Sequence, residues 1–198
     1  MIKLENLNFC YDKYSPFKKE IFVNVNYNII GQKVLLTASS GSGKSTLFNI
    51  LLGEYKGYKT KQDIKILLQS IDIQLLTNSV YEEINLGYKL KFKKDIAKEE
   101  VQNYLNVFML NKKLGDNPNL FSGGEKKILL IICLIVSKPD ILIMDEPYVS
   151  LDEAHINVLN NYLKTTDINF LMSSHNIYED IFDQKITIEN NQLVGIDE

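Results

Sequence analysis

The sequence ASSGSGKST, from Ala38 to Thr46, decides the fold of this chain because of what stands on either side of it. The apolar run 34–36 precedes it and predicts a buried strand, and the apolar positions of 47–52 predict a helix behind it. A strand, a glycine-rich turn and a helix in this order bring backbone N–H groups and a helix N-terminus to one point, which favours an anion. The stretch therefore predicts a phosphate-binding loop.

The residue types within this loop suit a nucleoside triphosphate with Mg²⁺. Gly41 and Gly43 allow the backbone to approach a phosphate chain that any Cβ would hold off. Lys44 supplies a mobile positive charge, and the Ser45 hydroxyl is a ligand for Mg²⁺. The alternative is a Gly/Ser-rich linker that contains a lysine, but such linkers seldom have a β-rich run on one side and a helical pattern on the other.

One position departs from the full pattern G-x-x-x-x-G-K-[ST], which has glycine where this chain has Ala38. If the backbone there requires a positive φ, alanine costs about 1 kcal/mol, and otherwise nothing is lost. The backbone conformation of Ala38 therefore decides whether this departure matters.

The composition is that of a globular protein with one domain. The chain has 198 residues, of which 45% are apolar and 24% are charged. Its formal net charge of −3 gives no electrostatic footprint for nucleic acid. All 22 basic residues are lysine, which excludes any mechanism that needs an arginine from this chain.

The cysteines and the longest apolar run bear on where the protein resides. Cys10 and Cys133 lie among apolar neighbours, so we expect small core residues in a reducing compartment and no metal site. The apolar run 128–136 is shorter than the stretch of about 20 residues that crosses a bilayer. With no signal peptide ahead of Ile2, the expected location is the cytoplasm.

Hydrophobic periodicity predicts several further elements. Residues 2–30 are predicted to be β-rich, 97–111 to form an amphipathic helix, and 186–198 to form a final hairpin with an Asn-Asn turn. The lysine-rich stretch 89–94 is interpreted as a solvated face or a loop.

Chemically active residues follow two of the predicted buried strands. Gln69 follows the strand 64–68, and Asp145 and Glu146 follow the strand 141–144. Two adjacent carboxylates at the end of a buried strand are costly as packing residues. We therefore expect one to hold Mg²⁺ and the next to orient or deprotonate an attacking water.

The two histidines and Tyr11 are further candidates for the site. His175 and Tyr11 each have a functional and a structural interpretation, and His155 has only a structural one. His175 follows the strand 168–172 and is either a γ-phosphate contact or a polar residue at a strand end. Tyr11 ends the first strand group, where its ring either stacks on a nucleotide base or packs on a sheet edge. His155 is interpreted as a surface residue.

A second glycine-rich helix start is formed by Ser122, Gly123 and Gly124, directly before the apolar run. Two anion-friendly helix starts in one domain are unusual. The alternative is a plain N-cap at Ser122, with Glu125 completing a capping box.

In this order the motifs resemble those of the ATPase domain of ABC transporters over nearly the whole chain. ASSGSGKST resembles the Walker A loop, FSGGE at 121–125 the LSGGQ signature, ILIMDEP at 141–147 Walker B, and SLD at 150–152 the D-loop. Gln69 resembles the Q-loop glutamine, and His175 the switch histidine.

The resemblance implies a set of site residues. Glu146, His175 and Gln69 are the implied catalytic residues, and Ser45, Gln69 and Asp145 the implied Mg²⁺ ligands. The implied ATP-binding residues, with Tyr11 stacking on adenine, are Tyr11, Ser39, Ser40, Gly41, Ser42, Gly43, Lys44, Ser45, Thr46, Ser122, Gly123, Gly124 and Asp145.

Several positions depart from the family pattern besides Ala38. Phe121 and Glu125 replace the leucine and glutamine of the signature, and Ile128 and Cys133 stand where such helices often carry arginine. The interval 46–69 is short, so the antiparallel β part of the fold is expected to be trimmed.

The resemblance also implies a fold and a mechanism. The implied fold is α/β, a P-loop NTPase (RecA-like) parallel-sheet core with an N-terminal antiparallel β part, in one domain over 1–198 with a helical subdomain at 70–121. The implied activity is Mg-dependent ATP hydrolysis to ADP and phosphate by a head-to-tail homo- or heterodimer, each ATP lying between one Walker A loop and the other subunit's signature. The dimer would drive a separate membrane-spanning subunit from the inner face of the cell membrane.

Other functions stay open at this point. A soluble ABC-type ATPase of an assembly or repair system is the main alternative, and a non-hydrolysing binding module is disfavoured because Glu146 and His175 are present. The segments 73–87 and 115–127 resemble both peptide or bacteriocin exporters and the ATPases of vitamin and metal uptake systems, with a slight preference for export.

Overall fold

A six-stranded central sheet carries the fold, and a separate two-stranded sheet is formed by the N-terminal residues. The computed structural model describes residues 2–12, 14, 16–55, 60–70, 75–174 and 179–196. Within these ranges the strands are β1 (Ile2–Tyr11), β2 (Lys19–Ile29), β3 (Lys33–Leu36), β4 (Ile64–Leu67), β5 (Ile141–Asp145), β6 (Asn169–Ser173), β7 (Gln184–Glu189) and β8 (Gln192–Gly195). The α-helices are α1 (Lys44–Leu51), α2 (Val80–Phe92), α3 (Lys98–Val107), α4 (Gly123–Val136) and α5 (Glu153–Thr165).

The central sheet is mostly parallel, with the strand order β4-β5-β6-β3-β7-β8. The neighbouring pairs from β4 to β7 are parallel, and β8 pairs antiparallel with β7. The carboxyl ends of parallel strands meet at one edge of a sheet, so the ends of β3, β4, β5 and β6 lie close together. The predicted α/β fold with an antiparallel N-terminal part is confirmed.

Apolar side chains on the two faces of this sheet form two cores. Along β5, Ile141 and Ile143 belong to the core that also holds β1, β2 and α1, whereas Leu142 and Met144 belong to the core built with α2 to α5. This division follows from the two-residue period of a strand. Full burial of such a side chain contributes about 1.5–3 kcal/mol, so covering both faces stabilises the continuous apolar strand.

The helix α2 is an element that the sequence reasoning did not assign. It begins after Ser79, whose side chain accepts a hydrogen bond from the Glu82 N–H, and it continues through Gly87 to Phe92. Lys93 ends it with a φ of +58°. The lysines of 89–94 are exposed, which confirms their interpretation as a solvated face. The interpretation as a loop is wrong for the residues up to 92, because these belong to the helix α2.

The C-terminal hairpin forms as predicted. The strands β7 and β8 pair antiparallel, and Asn190 and Asn191 form the turn with φ of +48° and +62°. Asparagine tolerates the left-handed region better than most residues, which explains the Asn-Asn pair at this turn.

The two cysteines are less buried than predicted. Cys10 and Cys133 are both only partly buried and both are free thiols. Cys133 packs against the helical core, and burial raises the pKa of its thiol well above the ordinary value. A thiol with a raised pKa carries little thiolate at neutral pH and is therefore unreactive.

Candidate functional site

The loop after β3 takes the backbone form that its glycines permit. Gly41 and Gly43 have φ of +78° and +113°, a region that side chains disfavour. A Cβ on Gly43 would also lie 2.6 Å from Ile21 Cγ2. Ala38, in contrast, is not among the residues with positive φ, and it packs against the core. The alanine therefore costs no backbone strain.

Lys44 begins α1 and folds back over this loop. Its Nζ donates hydrogen bonds to the carbonyls of Ala38 at 2.6 Å and Ser39 at 3.2 Å. The Ser42 hydroxyl is buried and has no hydrogen-bond partner among the described residues. The ammonium group of Lys44 therefore contacts only neutral carbonyl oxygens in this loop. A phosphate anion bound there would attract it more strongly, because the anion carries a full negative charge.

A cleft of about 420 Å³ opens over the loop, within the usual size range of ligand pockets. It contains most of the predicted loop residues together with both carboxylates at the end of β5, and Ser39 and Ser42 do not line it. The lining residues are Tyr11, Lys19, Ile21, Ser40, Gly41, Gly43, Lys44, Ser45, Thr46, Gln69, Asp145, Glu146 and Val149. Residues from β1, β2, the loop and the start of α1 thus converge on one cleft with residues at or after the ends of β4 and β5.

Tyr11 lines one side of this cleft with a fixed ring. Its hydroxyl lies 2.9 Å from the Thr46 hydroxyl oxygen and 3.3 Å from the Tyr55 hydroxyl oxygen. The ring packs edge-on against Phe9, with centroids 5.0 Å apart, and the residue stays 38% exposed. Tyr11 therefore packs on its sheet and also borders the cleft, and stacking on a base stays a prediction.

The two carboxylates at the end of β5 are held through β6. The Ser173 hydroxyl donates to Asp145 Oδ1 at 2.6 Å. Glu146 has a φ of +50°, a conformation that costs a non-glycine residue about 1–3 kcal/mol. Its N–H donates to both the carbonyl and the hydroxyl oxygen of Ser173 at 3.1 Å. A strained residue fixed by its surroundings is typical of active sites.

Lys127 is a residue beside this turn that the sequence reasoning missed. It is only 1% exposed, and its Nζ donates to the main-chain carbonyls of Val149 at 2.9 Å and Glu146 at 3.2 Å. Burial lowers the pKa of Lys127, against the opposite effect of the Glu146 and Asp145 carboxylates. Its position in the helical pattern could have indicated that Lys127 is buried, because its i+3 and i+4 neighbours on α4 are both buried apolar residues.

The N-terminus of α4 lies outside the cleft. Ser122 caps the helix, since its hydroxyl accepts from the Glu125 N–H at 3.3 Å while its own N–H donates to Glu125 Oε2 at 2.9 Å. The capping box is therefore confirmed. Ser122 and Gly123 are exposed, and neither they nor Gly124 line the cleft.

The two glycines of this N-terminus have different surroundings. A Cβ on Gly123 would meet no atom within 4 Å, whereas one on Gly124 would lie 2.7 Å from the Ser150 carbonyl oxygen. Gly124 is therefore required by packing within the subunit, and Gly123 faces open space. Ser150 itself has a φ of +71°.

Glu125, which replaces a glutamine of the resembled signature, has a cationic neighbour. Lys112 Nζ lies 2.7 Å from Glu125 Oε1, and the same ammonium lies 4.5 Å from the centroid of the Phe121 ring. The hydrogen bond from Lys112 and that from the Ser122 backbone hold the pKa of Glu125 below its ordinary value. The added negative charge is thus balanced locally.

His155 is not the surface residue that was expected. Its side chain is only 19% exposed, and its Nδ1 lies 2.8 Å from Asp152 Oδ1. Its Nε2 is buried with no hydrogen-bond partner in the described part of the chain. The hydrogen bond from the His155 N–H lowers the pKa of Asp152, which caps α5. The imidazole lies against the start of α5 because His155 follows the capping residue Asp152 by only three positions.

One predicted site residue cannot be compared with the structure, because His175 lies outside the described residues. Within the described ranges, no group of three or more His, Cys, Asp or Glu side chains is arranged to hold a metal ion. The same ranges contain no helix that is both long and apolar enough to span a membrane.

The parallel sheet, the glycine-rich loop before α1 and the carboxylates at the end of β5 together define a P-loop nucleotide-binding protein. The sequence model of the ABC transporter family matches residues 23–149. The chain therefore belongs to the ABC transporter family, and it is one of that family's ATP-binding ATPase domains.

Individual proteins agree with this assignment. The chain is 30% identical over 182 residues to a putative ABC transporter ATP-binding protein of Clostridium tetani, covering 83% of this chain and 40% of that protein. It is 29% identical to the energy-coupling factor transporter ATP-binding protein EcfA2 of Caldanaerobacter subterraneus subsp. tengcongensis, over 98% of this chain and 78% of that one. The chain thus spans less than half of the first relative and most of the second.

The fold is also found among solved structures. The dimeric ATP-binding cassette MJ0796, solved in a post-hydrolysis state with ADP and Pi, matches with a TM-score of 0.78 at 22% identity, and the match covers 100% of both chains. At this identity the likeness concerns the fold.

Proposed function

We propose that this chain binds Mg-ATP in the cleft over the loop and hydrolyses it when two ATPase subunits meet head to tail. The observation that carries the proposal is the separation of two parts within one subunit. The cleft holds the loop and both carboxylates, whereas the exposed N-terminus of α4, at Ser122 and Gly123, lies outside it. A second subunit is the natural source of a helix N-terminus for the open side of the cleft.

The residues of the cleft fit the triphosphate. A Cβ on Gly41 would meet no atom within 4 Å, so the loop backbone leaves open space there for a phosphate chain to approach. Lys44 would exchange its two carbonyl acceptors for the β- and γ-phosphate oxygens. Backbone N–H groups at the start of α1 supply further donors.

The cleft also presents the donor types that Mg²⁺ takes. Ser45, Gln69 and Asp145 provide hydroxyl, amide and carboxylate oxygens, and all three line the cleft. When bound, the ion neutralises charge on the phosphate oxygens. Asp145 is aimed by the hydroxyl of Ser173, which leaves its second oxygen available as a ligand.

Glu146 is the proposed base that orients and polarises the attacking water. Glu146 lines the cleft, and its main chain is fixed on both sides, by Ser173 at the N–H and by Lys127 at the carbonyl. His175 is the proposed contact to the γ-phosphate. This role rests on the resemblance to the switch histidine alone.

In the proposed dimer, Ser122 and the amides of Gly123 and Gly124 would contact the γ-phosphate bound by the other subunit. This accounts for a glycine at 123, where the subunit itself offers open space to a side chain. Homodimer and heterodimer are both compatible with this arrangement.

Coupling to a membrane is a further part of the proposal. Closure on ATP and opening after hydrolysis would drive a separate membrane-spanning subunit, through the surface between Gln69 and Lys113. The chain would then lie in the cytoplasm at the inner face of the cell membrane.

Residues 70–121 would serve as the helical subdomain within a single domain over 1–198. A soluble assembly or repair ATPase is the alternative, and a pulldown that recovers only soluble partners would favour it.

The direction of transport stays a proposal as well. The segments 73–87 and 115–127 slightly favour peptide or bacteriocin export over vitamin or metal uptake. Co-purification of the integral membrane protein that this chain binds would decide between them.

The test of the ATPase proposal is hydrolysis by the purified chain and by Glu146→Gln. We expect the variant to bind ATP, to stop hydrolysing it and to accumulate as a dimer, because the substitution removes the base and leaves the loop intact. A second carboxylate on the surface, Glu99, provides the control Glu99→Gln, which should hydrolyse normally. An unchanged rate in Glu146→Gln would remove Glu146 from its proposed role.

A further inference from the structure

Lys127 is a buried charged side chain that takes no part in the chemistry of the proposed function. It lies on α4, one turn after the glycines, and it is 1% exposed. Removing an ammonium group from water is costly unless its donors are satisfied. Both of its acceptors in the structure are main-chain carbonyls, those of Glu146 and Val149. The cost of burying this ammonium group points to a specific role for the turn whose carbonyls Lys127 contacts.

The turn 146–149 that Lys127 holds begins at one residue with positive φ and is directly followed by another. Glu146 has a φ of +50° and Ser150 one of +71°. The turn closes with a hydrogen bond from the Val149 N–H to the Glu146 carbonyl at 3.3 Å. The ammonium therefore contacts the first and the last carbonyl of a strained four-residue turn.

The opposite side of Glu146 is held by the sheet. Its N–H donates to Ser173 on β6, and its carbonyl accepts from Lys127 on α4. Because the main-chain N–H and C=O of Glu146 are tied to different elements on either side of its Cα, the direction of its side chain depends on both contacts. The Ser173 contact alone leaves the carbonyl end of the turn without a support from α4.

We propose that Lys127 is a positioning residue that fixes the turn 146–149 against α4 and thereby directs the Glu146 carboxylate into the cleft of its own subunit. The inference rests on the proposed function insofar as Glu146 acts on the attacking water. It assigns Lys127 no contact with ATP.

The first experiment compares Lys127→Met with the unaltered chain and with Lys94→Met, which removes an exposed lysine. Methionine keeps the length and apolar stem of lysine and removes both hydrogen bonds. We expect kcat to fall on the order of 10- to 100-fold, as small misplacements of a catalytic group do, with the Kd for ATP unchanged. Lys94→Met should match the unaltered chain in both quantities.

Thermal unfolding shows whether the variants are folded. Lys127→Gln, which is uncharged and retains an amide donor, is measured in parallel and supplies the test if Lys127→Met does not fold. We expect Lys127→Gln to lose less kcat than Lys127→Met, since partial support of the turn remains. A folded Lys127 variant that keeps the kcat of the unaltered chain would overturn the inference.

Mixed dimers distinguish positioning of Glu146 from general damage to α4. A dimer of one unaltered subunit and one Glu146→Gln subunit keeps a single working base. Adding Lys127→Met to the unaltered subunit should abolish most of the remaining rate. Adding it to the Glu146→Gln subunit should leave the rate as it was, because that subunit has no base to position.

The outcomes separate this inference from the proposed function. Equal losses in both mixed dimers, or a loss only when the Glu146→Gln subunit carries Lys127→Met, would mean that Lys127 acts through the helix start and would overturn the inference. Normal hydrolysis by Glu146→Gln itself would instead overturn the proposed function. A cis-only loss supports both.

Discussion

Alanine at two adjacent glycines should have opposite effects on the stability of this protein. Neither Gly123 nor Gly124 has a positive φ, so the backbone of both accepts alanine. They differ in space, because the new Cβ would meet no atom within 4 Å at 123 and would lie 2.7 Å from the Ser150 carbonyl oxygen at 124. The pair therefore tests the packing of α4 against the D-loop, with chemistry and helix position nearly the same.

The magnitudes follow from these distances. At 123, replacing glycine reduces the entropy of the unfolded chain and should stabilise by about 0.4–1 kcal/mol. At 124, the same gain is opposed by an overpacking cost of about 1–3 kcal/mol, which leaves a net loss of about 1–2 kcal/mol. For a chain of this length, 1 kcal/mol corresponds to about 2–4 °C in Tm.

Unfolding by urea and by heat, without nucleotide, measures both variants. Gly123→Ala should raise the Tm slightly, and Gly124→Ala should lower it by about 2–8 °C. The activities should not follow the stabilities, because the methyl of Gly123→Ala would enter the space proposed for the other subunit's γ-phosphate, and we expect its ATPase rate to fall. Equal stability of the two variants would refute the packing at Ser150, and full activity of Gly123→Ala would refute the proposed position of Gly123 in the dimer.

Three further predictions concern the loop and the helix cap. Ala38→Gly should cost about 0.4–1 kcal/mol in urea unfolding without tightening ATP binding, since Ala38 has no strain to relieve; tighter binding of a fluorescent ATP analogue would contradict this. Gly43→Ala should abolish binding of that analogue, because its φ is +113° and its Cβ would collide with Ile21, and retained affinity would refute the assigned loop geometry. The lowered pKa of Glu125 means that its stabilising contribution is present above the ordinary pKa of 4.5 and is lost as the pH falls through the lower folded value. The difference in unfolding free energy between the unaltered chain and Glu125→Gln should therefore shrink in acid, and a difference that does not change with pH would contradict the Lys112 contact.

Residue patterns predicted much of the fold because strong local signals and tertiary packing agree in those segments. The buried strand β5 is a continuous apolar run, and the loop before α1 is marked by glycines that the structure holds at positive φ. The same agreement placed Gln69 and the two carboxylates in one cleft, since parallel strands end at one edge of the sheet.

The misses arise where tertiary contacts override local signals. The helix α2 contains Gly87, which locally disfavours a helix, but its N-cap and its packing against α4 stabilise it. Lys127 is charged and so was assigned no interior position, yet carbonyls of the strained turn after β5 satisfy its donors. The partly buried imidazole of His155 likewise depends on a side-chain contact with Asp152 that no periodicity reveals.

Mixing two inactive variants tests the central claim most directly, namely that each ATP site is built from two subunits. Lys44→Ala should fail because its own loop is defective, and Ser122→Arg because its helix start is blocked. In a mixed dimer, the loop of the Ser122→Arg subunit meets the intact helix start of the Lys44→Ala subunit. The account predicts that ATPase activity reappears on mixing, up to about a quarter of the unaltered rate if subunits pair at random and each site works alone. Two folded variants that form mixed dimers without any recovery, or a Ser122→Arg variant that is fully active by itself, would contradict it.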